Sequence, residues 1–119
     1  MTAIACGVLW CAAAYAEPDT TAAEIEHLIA AVGASGCTFV RNGKEHDAEA
    51  AESHLRMRYH RGRRHAGTAE RFIERLASKS SMSRKPYLMV CPDEPPVPSG
   101  DWLSTQLADY RAARVEVSL

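Results

Sequence analysis

The sequence of 119 residues predicts a single α+β domain in which four helices pack on a small antiparallel sheet of two or three strands. Two observations support this prediction. Four segments repeat apolar residues at helical spacing, and two short segments rich in β-branched and aromatic residues lack that period. Because two strands do not form a stable sheet in isolation, the helices must cover it.

The first sixteen residues have the pattern of a cleaved signal peptide. The apolar run from 3 to 14 is too short to span a bilayer, and it ends in Ala14-Tyr15-Ala16, which has the small residues that a signal peptidase requires. Cleavage after Ala16 would leave one domain, residues 17–119, without a transmembrane segment. The pattern therefore predicts a periplasmic or secreted protein. A buried N-terminal helix is the alternative.

The first helix is expected to begin at the segment TAAE, residues 21–24, which has the form of a capping box, and to end at Gly33 and Gly36. CTFVR, residues 37–41, is the first predicted strand, and the pair Asn42-Gly43 predicts the turn that ends it. The apolar stripe of this helix comprises Ala22, Ile25, Leu28, Ile29 and Val32.

The second helix is expected to be capped by His46 or Asp47, and the third by Thr68. Each has an apolar face of residues three and four apart. These faces comprise Ala48, Ala51, Leu55 and Tyr59 in the second helix, and Ala69, Phe72, Ile73, Leu76 and Ala77 in the third.

YLMVC, residues 87–91, is the second predicted strand, and an acidic proline-rich loop follows it. Ser99 is expected to cap the last helix. The alternating tail from 115 to 119 predicts a short edge strand or a frayed end. The last helix is expected to bury Trp102, Leu103, Leu107 and Tyr110.

Signal-peptide cleavage would leave two cysteines, Cys37 and Cys91, for which an exported domain predicts a disulfide. Cys37 begins the first strand and Cys91 ends the second, so only antiparallel pairing brings them to the same end of the sheet. That pairing sets Phe39 opposite Met89 and Arg41 near Tyr87. A free, buried cysteine pair is the alternative.

Four segments together resemble the YfeK-like family of small exported bacterial proteins, a domain family of unknown function. They are CTFVRNG, the AxxAxxHLR pattern from Ala48 to Arg56, the segment from Thr68 to Tyr87, and the pair Trp102 and Leu103. The resemblance implies export and a compact α+β domain, and it brings no established activity. Arg58 stands where lysine is usual in the family pattern. Arg84 stands where glycine is usual, which argues against a tight glycine turn in that loop.

Candidate catalytic residues are few. A serine, Ser81 or Ser83, together with His54 would suggest acyl transfer, but the sequence contains neither G-x-S-x-G nor S-x-x-K. A hydrogen-bonded structural role for His54 is the competing interpretation. Histidine spacing matches no zinc signature, so we expect no metal and no cofactor. The histidines considered were His46, His54, His60 and His65.

The segment RMRYHRGRRH, residues 56–65, is the most visible concentration of charge. It is either a solvated face or an anion-binding patch. Arg41 could stack on Tyr87 or hold a carboxylate or phosphate, and Asn42 is a turn residue or a ligand contact. The candidate ligand-binding residues are Arg41, Asn42, Arg56, Arg58, Arg61, Arg63, Arg64, Lys79, Arg84 and Lys85.

These observations favour a non-catalytic binding or envelope-accessory domain that contacts an anionic envelope component or another envelope protein. A serine- and histidine-dependent hydrolase or transferase is the alternative, and a purely structural partner subunit is a third hypothesis. The net charge of −1 gives no global reason to expect nucleic acid, which an exported protein also meets less readily. The sequence does not indicate an oligomeric state.

Overall fold

The computed structural model describes residues 17–118, so the predicted signal peptide, residues 1–16, lies outside the described part of the chain. This part of the chain contains four helices and four strands, which form one α+β domain, as the sequence predicts. In chain order the elements are α1 (Glu17–Ala34), β1 (Thr38–Arg41), β2 (Lys44–His46), α2 (Ala48–Arg61), α3 (Ala69–Leu76), β3 (Leu88–Val90), β4 (Val97–Pro98) and α4 (Ser99–Ser118), with one 3₁₀ turn at Arg63–His65.

The sheet is antiparallel throughout, with the strand order β2-β1-β3-β4. It therefore has four strands, where the sequence predicts two or three. The central pair, β1 and β3, has the predicted register, with Phe39 opposite Met89. Cys37 precedes β1 and Cys91 follows β3, and the two form the predicted disulfide across the end of this pair.

β1 and β2 are joined by a two-residue turn. Both central residues, Asn42 and Gly43, have positive φ angles, of 53° and 79°. This conformation matches the right-handed twist of a hairpin, and asparagine followed by glycine adopts it at low cost. The predicted turn thus does more than end a strand, because it returns the chain along β1 with Lys44 opposite Arg41.

One hydrophobic core lies between the helices and one face of the sheet. Phe39, Tyr87 and Met89 are buried on that face, where alternation along the strands puts them on the same side. The predicted helix faces are buried, except that Ala22 is exposed and Ala48, Trp102 and Tyr110 are half-buried. From the helices the core receives Ile25, Leu28, Ile29, Val32, Ala51, Leu55, Tyr59, Ala69, Phe72, Ile73, Leu76, Leu103 and Leu107.

The predicted start of the first helix is wrong, whereas the caps of the next two helices are among those predicted. α1 begins at Glu17, so Thr21 lies inside the helix and the predicted capping box is wrong. Asp47, not His46, caps α2, because its carboxylate accepts a hydrogen bond from the Ala50 N–H at 2.8 Å. The predicted cap of α3 is confirmed, since the Thr68 hydroxyl accepts from the Arg71 N–H at 3.1 Å.

The last helix also differs from the prediction at both ends. Ser99 is the first residue of α4, but its buried hydroxyl donates to the carbonyl of Ala77 at 2.7 Å and so connects the two helices rather than capping one. The tail predicted as an edge strand or a frayed end is helical as far as Ser118. Helical spacing continues past Tyr110, and nothing in that segment breaks it.

Candidate anion-binding site

A surface cleft of about 430 Å³ lies between the C-terminal half of α2, the end of α3 and the loop after α3. Below it is called the arginine cleft. Three guanidinium groups, two imidazoles and one hydroxyl face it, over a floor of Met57, Gly62 and Leu76, and no acidic residue lines it. The polar residues of the lining are Arg58, Arg61, Arg75, His54, His65 and Ser81.

Helical spacing explains why α2 supplies so much of this lining. His54, Met57, Arg58 and Arg61 follow one another at i, i+3, i+4 and i+7, so they share one face of the helix. The adjoining face carries the buried residues of α2 and packs into the core. Burial of that apolar face therefore orients the basic face outward, toward the end of α3.

Gly62 lets the end of α2 approach α3 closely. It is the C-cap of α2, and its N–H donates to the carbonyl of Arg58 at 2.8 Å. A β-carbon at Gly62 would lie 2.8 Å from a methyl carbon of Leu76 and 3.2 Å from the carbonyl oxygen of Arg58. A side chain here would push Leu76 aside and narrow the cleft.

Arg58 is held in place by the backbone of α3. Its Nε donates to the carbonyl oxygen of Leu76 at 2.7 Å, which satisfies one of the carbonyls left without a partner at the helix C-terminus. Within residues 17–118, no carboxylate pairs with Arg58, Arg61 or Arg75. The cleft thus presents positive charge that neighbouring side chains do not neutralise.

His54 is half-buried at the edge of the cleft, and its pKa is lowered to about 4. Burial is the main cause, and the positive charges of Arg41 and Arg58 and the neighbouring His46 add to it. Its Nε2 lies 3.5 Å from the hydroxyl of the buried Tyr87, whose ring meets the imidazole edge-on. At neutral pH His54 is therefore an uncharged hydrogen-bonding group.

The candidate serines take different positions. Ser81 is exposed and lines the cleft. Ser83 lies outside it and donates to the side-chain oxygen of Asn42 at 2.6 Å, tying the loop to the β1–β2 turn. In the described chain neither hydroxyl is hydrogen-bonded to His54, so the nucleophile–base contact of an acyl-transfer site is not formed.

The basic segment separates into groups with different surroundings. Arg56 pairs with Glu26 of α1 and with Glu52, one turn earlier in α2, and these contacts raise its pKa. Arg63 lies over the ring of Tyr59, 4.9 Å from its centroid. Arg64 donates to the imidazole of His65 at 3.3 Å. Of the predicted arginines in this segment, only Arg58 and Arg61 line the cleft.

Arg41 lies near His54 without lining the cleft. Strand alternation puts it on the same sheet face as Phe39, and its charge contributes to the lowered pKa of His54. The predicted stacking on Tyr87 does not occur in the described structure, since that ring contacts Phe39 and His54 instead. The remaining candidates, Lys79, Arg84 and Lys85, belong to the exposed loop beside the cleft.

Sequence reasoning missed Arg75, although a signal for it exists. The segments 53–69 and 75–92 contain no aspartate or glutamate, yet they hold nine of the fourteen lysines and arginines in the sequence. The two segments meet at the cleft. A search for acid-free segments, rather than for a dense basic run, would have included Arg75.

The geometry defines a small, disulfide-bonded α+β domain with a cationic surface cleft. A family model described as "Family of unknown function (DUF5329)" matches residues 19–111, and the chain belongs to this family. The uncharacterised protein YfeK of Salmonella typhimurium is 52% identical over 50 residues, which span 42% of this chain and 42% of that protein. These findings confirm the YfeK-like resemblance. No solved structure matches the chain.

None of the helices between residues 17 and 118 combines the length and the apolar character needed to cross a bilayer.

Proposed function

We propose that this protein is an exported envelope protein whose domain binds an anionic ligand in the arginine cleft without transforming it. The composition of the cleft lining carries the proposal: Arg58, Arg61 and Arg75 converge on one concavity that no carboxylate enters. Guanidinium groups bind phosphate and carboxylate groups through paired hydrogen bonds. Arg58 is already oriented by its bond to Leu76, which lowers the entropic cost of binding.

Export is supported by two independent features. Residues 1–16 have the signal-peptide pattern, and the disulfide between Cys37 and Cys91 is of a kind that persists in oxidising compartments. Intact mass of the protein recovered from the envelope fraction, before and after reduction, tests this part. We expect a species that begins at Glu17 and gains two hydrogens on reduction. A full-length, reduced, cytosolic species would overturn it.

Binding can be tested with inorganic pyrophosphate as a simple anionic probe, by titration calorimetry. We expect binding that weakens as salt is added, because added ions screen the charges of the open cleft. The double variant Arg61→Ala/Arg75→Ala should lose about tenfold or more in affinity. Lys44→Ala/Arg71→Ala removes the same charge from exposed positions outside the cleft lining, and it should bind as the parent does.

A hydrolase or transferase is the second candidate, because Ser81 and the uncharged His54 line the same cleft. Labelling with a fluorophosphonate probe separates it from the binding proposal. Labelling of the folded protein that disappears in Ser81→Ala would establish a reactive serine. A protein that is not labelled and still binds pyrophosphate is the result expected for a binding domain.

A further inference from the structure

Exposed apolar side chains are concentrated beside the arginine cleft. Three large hydrophobic residues in the described chain are exposed, and two of them lie here: Met57, 41% exposed, on the cleft floor, and Met82, 90% exposed, next to Ser81. The third, Val115, is on α4. A single exposed methionine is ordinary. The surroundings of Met82 are unusual, because its loop carries Lys79, Arg84 and Lys85 and no acidic residue.

This loop, residues 78–86 and below called the serine loop, is ordered from within. The Ser80 side chain is buried and accepts hydrogen bonds from the N–H groups of Met82 and Ser83, both at 3.3 Å. The backbone of Ser80 also bonds to Lys85 and Arg84, at 3.1 and 3.0 Å. The tip that carries Met82 is thus fixed before any partner arrives, so docking orders little new chain.

Arg84, on the same loop, has a backbone conformation that is unusual for arginine. Its φ of 64° lies in the left-handed region, which glycine adopts far more easily than arginine. Backbone strain of this kind persists where the surrounding contacts enforce it, and it is concentrated at functional positions. The serine loop accepts the strain and retains a cation beside Met82.

We propose that the serine loop and the arginine cleft form a docking surface for an anionic lipid bilayer. Met82 enters the boundary between headgroups and acyl chains, Lys79, Arg84 and Lys85 contact headgroup phosphates, and the cleft takes one such phosphate. Cations around an apolar tip are the chemistry by which peripheral proteins bind anionic membranes. The inference rests on the proposed function, because the headgroup phosphate is the anion of the cleft.

The shape of this surface favours a bilayer over an acidic protein. A protein partner would need a packed apolar core at the interface, typically with aromatic residues. Here the exposed apolar groups are two methionines, and Met82 stands alone at the tip of its loop. A protruding apolar side chain on a loop that also carries three cations suits a fluid interface, which closes around it without a complementary pocket.

Sedimentation with lipid vesicles tests the inference directly. We expect the disulfide-bonded protein to bind vesicles of phosphatidylglycerol and phosphatidylethanolamine, and not vesicles of phosphatidylcholine alone. Met82→Ser should weaken this binding about tenfold, since it removes the apolar group that enters the membrane. Val115→Ser removes an exposed apolar group on α4 and should have no effect. In Met82→Trp, tryptophan emission should shift to shorter wavelength when anionic vesicles are added.

The pyrophosphate titration keeps the two proposals separable. Met82→Ser that loses vesicle binding but retains pyrophosphate binding supports both. A protein that binds pyrophosphate and no vesicle, as one that recognises an acidic protein would, overturns the docking inference alone. If Met82→Ser and Val115→Ser bind vesicles equally well, Met82 does not insert into the membrane and this part of the inference is overturned. Binding to neither pyrophosphate nor vesicles overturns both proposals.

Discussion

Arg111 and Glu24, 87 residues apart in the sequence, form a two-bonded ion pair that joins α4 to α1. The guanidinium donates through Nε and Nη2 to the two carboxylate oxygens, at 2.7 and 2.9 Å. Arg111 also reaches Glu70 on α3, and this hydrogen bond lowers the pKa of Glu70. The Glu24 side chain is only 6% exposed, so its carboxylate is shielded from water and relies on these partners for hydrogen bonds.

Arg111→Ala should therefore destabilise the domain through the carboxylate that it leaves behind. Breaking a fully buried pair costs about 3–5 kcal/mol, and we expect about 2 kcal/mol here because Arg111 is partly exposed and Arg114 remains 3.8 Å from Glu24. Urea unfolding measures the loss. Arg71→Ala, an exposed arginine on α3, should change the free energy of unfolding by less than about 0.5 kcal/mol. Equal losses in the two variants would contradict the role of the pair.

The disulfide should carry a large share of the stability of so small a domain. Cys37 and Cys91 close a loop with a sequence separation of 54, for which the chain-entropy model gives about 4 kcal/mol. We expect the urea midpoint to fall on addition of reductant, with binding of pyrophosphate retained wherever the reduced protein stays folded. Cys37→Ala/Cys91→Ala should show the lower midpoint with and without reductant. A midpoint that reduction leaves unchanged would contradict the prediction.

Arg84→Gly tests the strain in the serine loop. Arginine at φ 64° costs about 1 kcal/mol relative to glycine, partly offset by the greater freedom of glycine in the unfolded chain. We expect the variant to be more stable by about 0.5 kcal/mol. Lys85→Gly, one residue later, removes no left-handed backbone strain, so its free energy of unfolding should be unchanged or lower. The resemblance argued against a tight turn here because arginine replaces glycine, yet the left-handed conformation is kept.

The sequence predicted those helices and strands in which burial of one face makes apolar residues recur at regular spacing. Apolar spacing predicted all four helices, and the β-branched segments predicted β1 and β3, whose pairing followed from Cys37 and Cys91. β2 was missed because Lys44, Glu45 and His46 are all polar, and β4 because it has two residues, one of them proline. The false capping box shows a related limit, since a Thr-x-x-Glu pattern also occurs inside helices.

The candidate site was predicted only in part, because local sequence does not specify which neighbours each side chain faces. A dense basic segment revealed Arg58 and Arg61, but residues on one segment face different neighbours. Arg56 turns to Glu26 on α1, and Arg75 joins the cleft from α3. Both outcomes depend on how α2 packs against other helices, which periodicity within one helix does not specify.

His54 gives a prediction for the electrostatics of the cleft. Burial, Arg41 and Arg58 lower its pKa to about 4, so its imidazole proton signals should titrate there in nuclear magnetic resonance spectra. Arg41→Gln removes one of the positive charges and should raise that pKa. Arg56→Gln is the matched control, because Arg56 is paired with Glu26 and Glu52 and should leave His54 unchanged. A titration near 6.5 in the parent would contradict this environment.

The lowered pKa of His54 also predicts how the stability of the domain depends on pH. His54 has the ordinary value of 6.5 in the unfolded chain and a pKa of about 4 in the folded one, so between these values the unfolded chain binds a proton that the folded domain does not. Stability should therefore fall as pH decreases from about 6.5 to about 4, and this contribution should be constant above and below that window.

The variant His54→Gln is the control for this prediction. It lacks the titrating group, while the carboxylates common to both proteins titrate equally. As pH decreases from about 6.5 to about 4, the unfolding free energy of the parent should therefore fall relative to that of the variant. A difference that stays constant from pH 7 to about 4 would show that His54 is solvated and ionises normally in the folded domain.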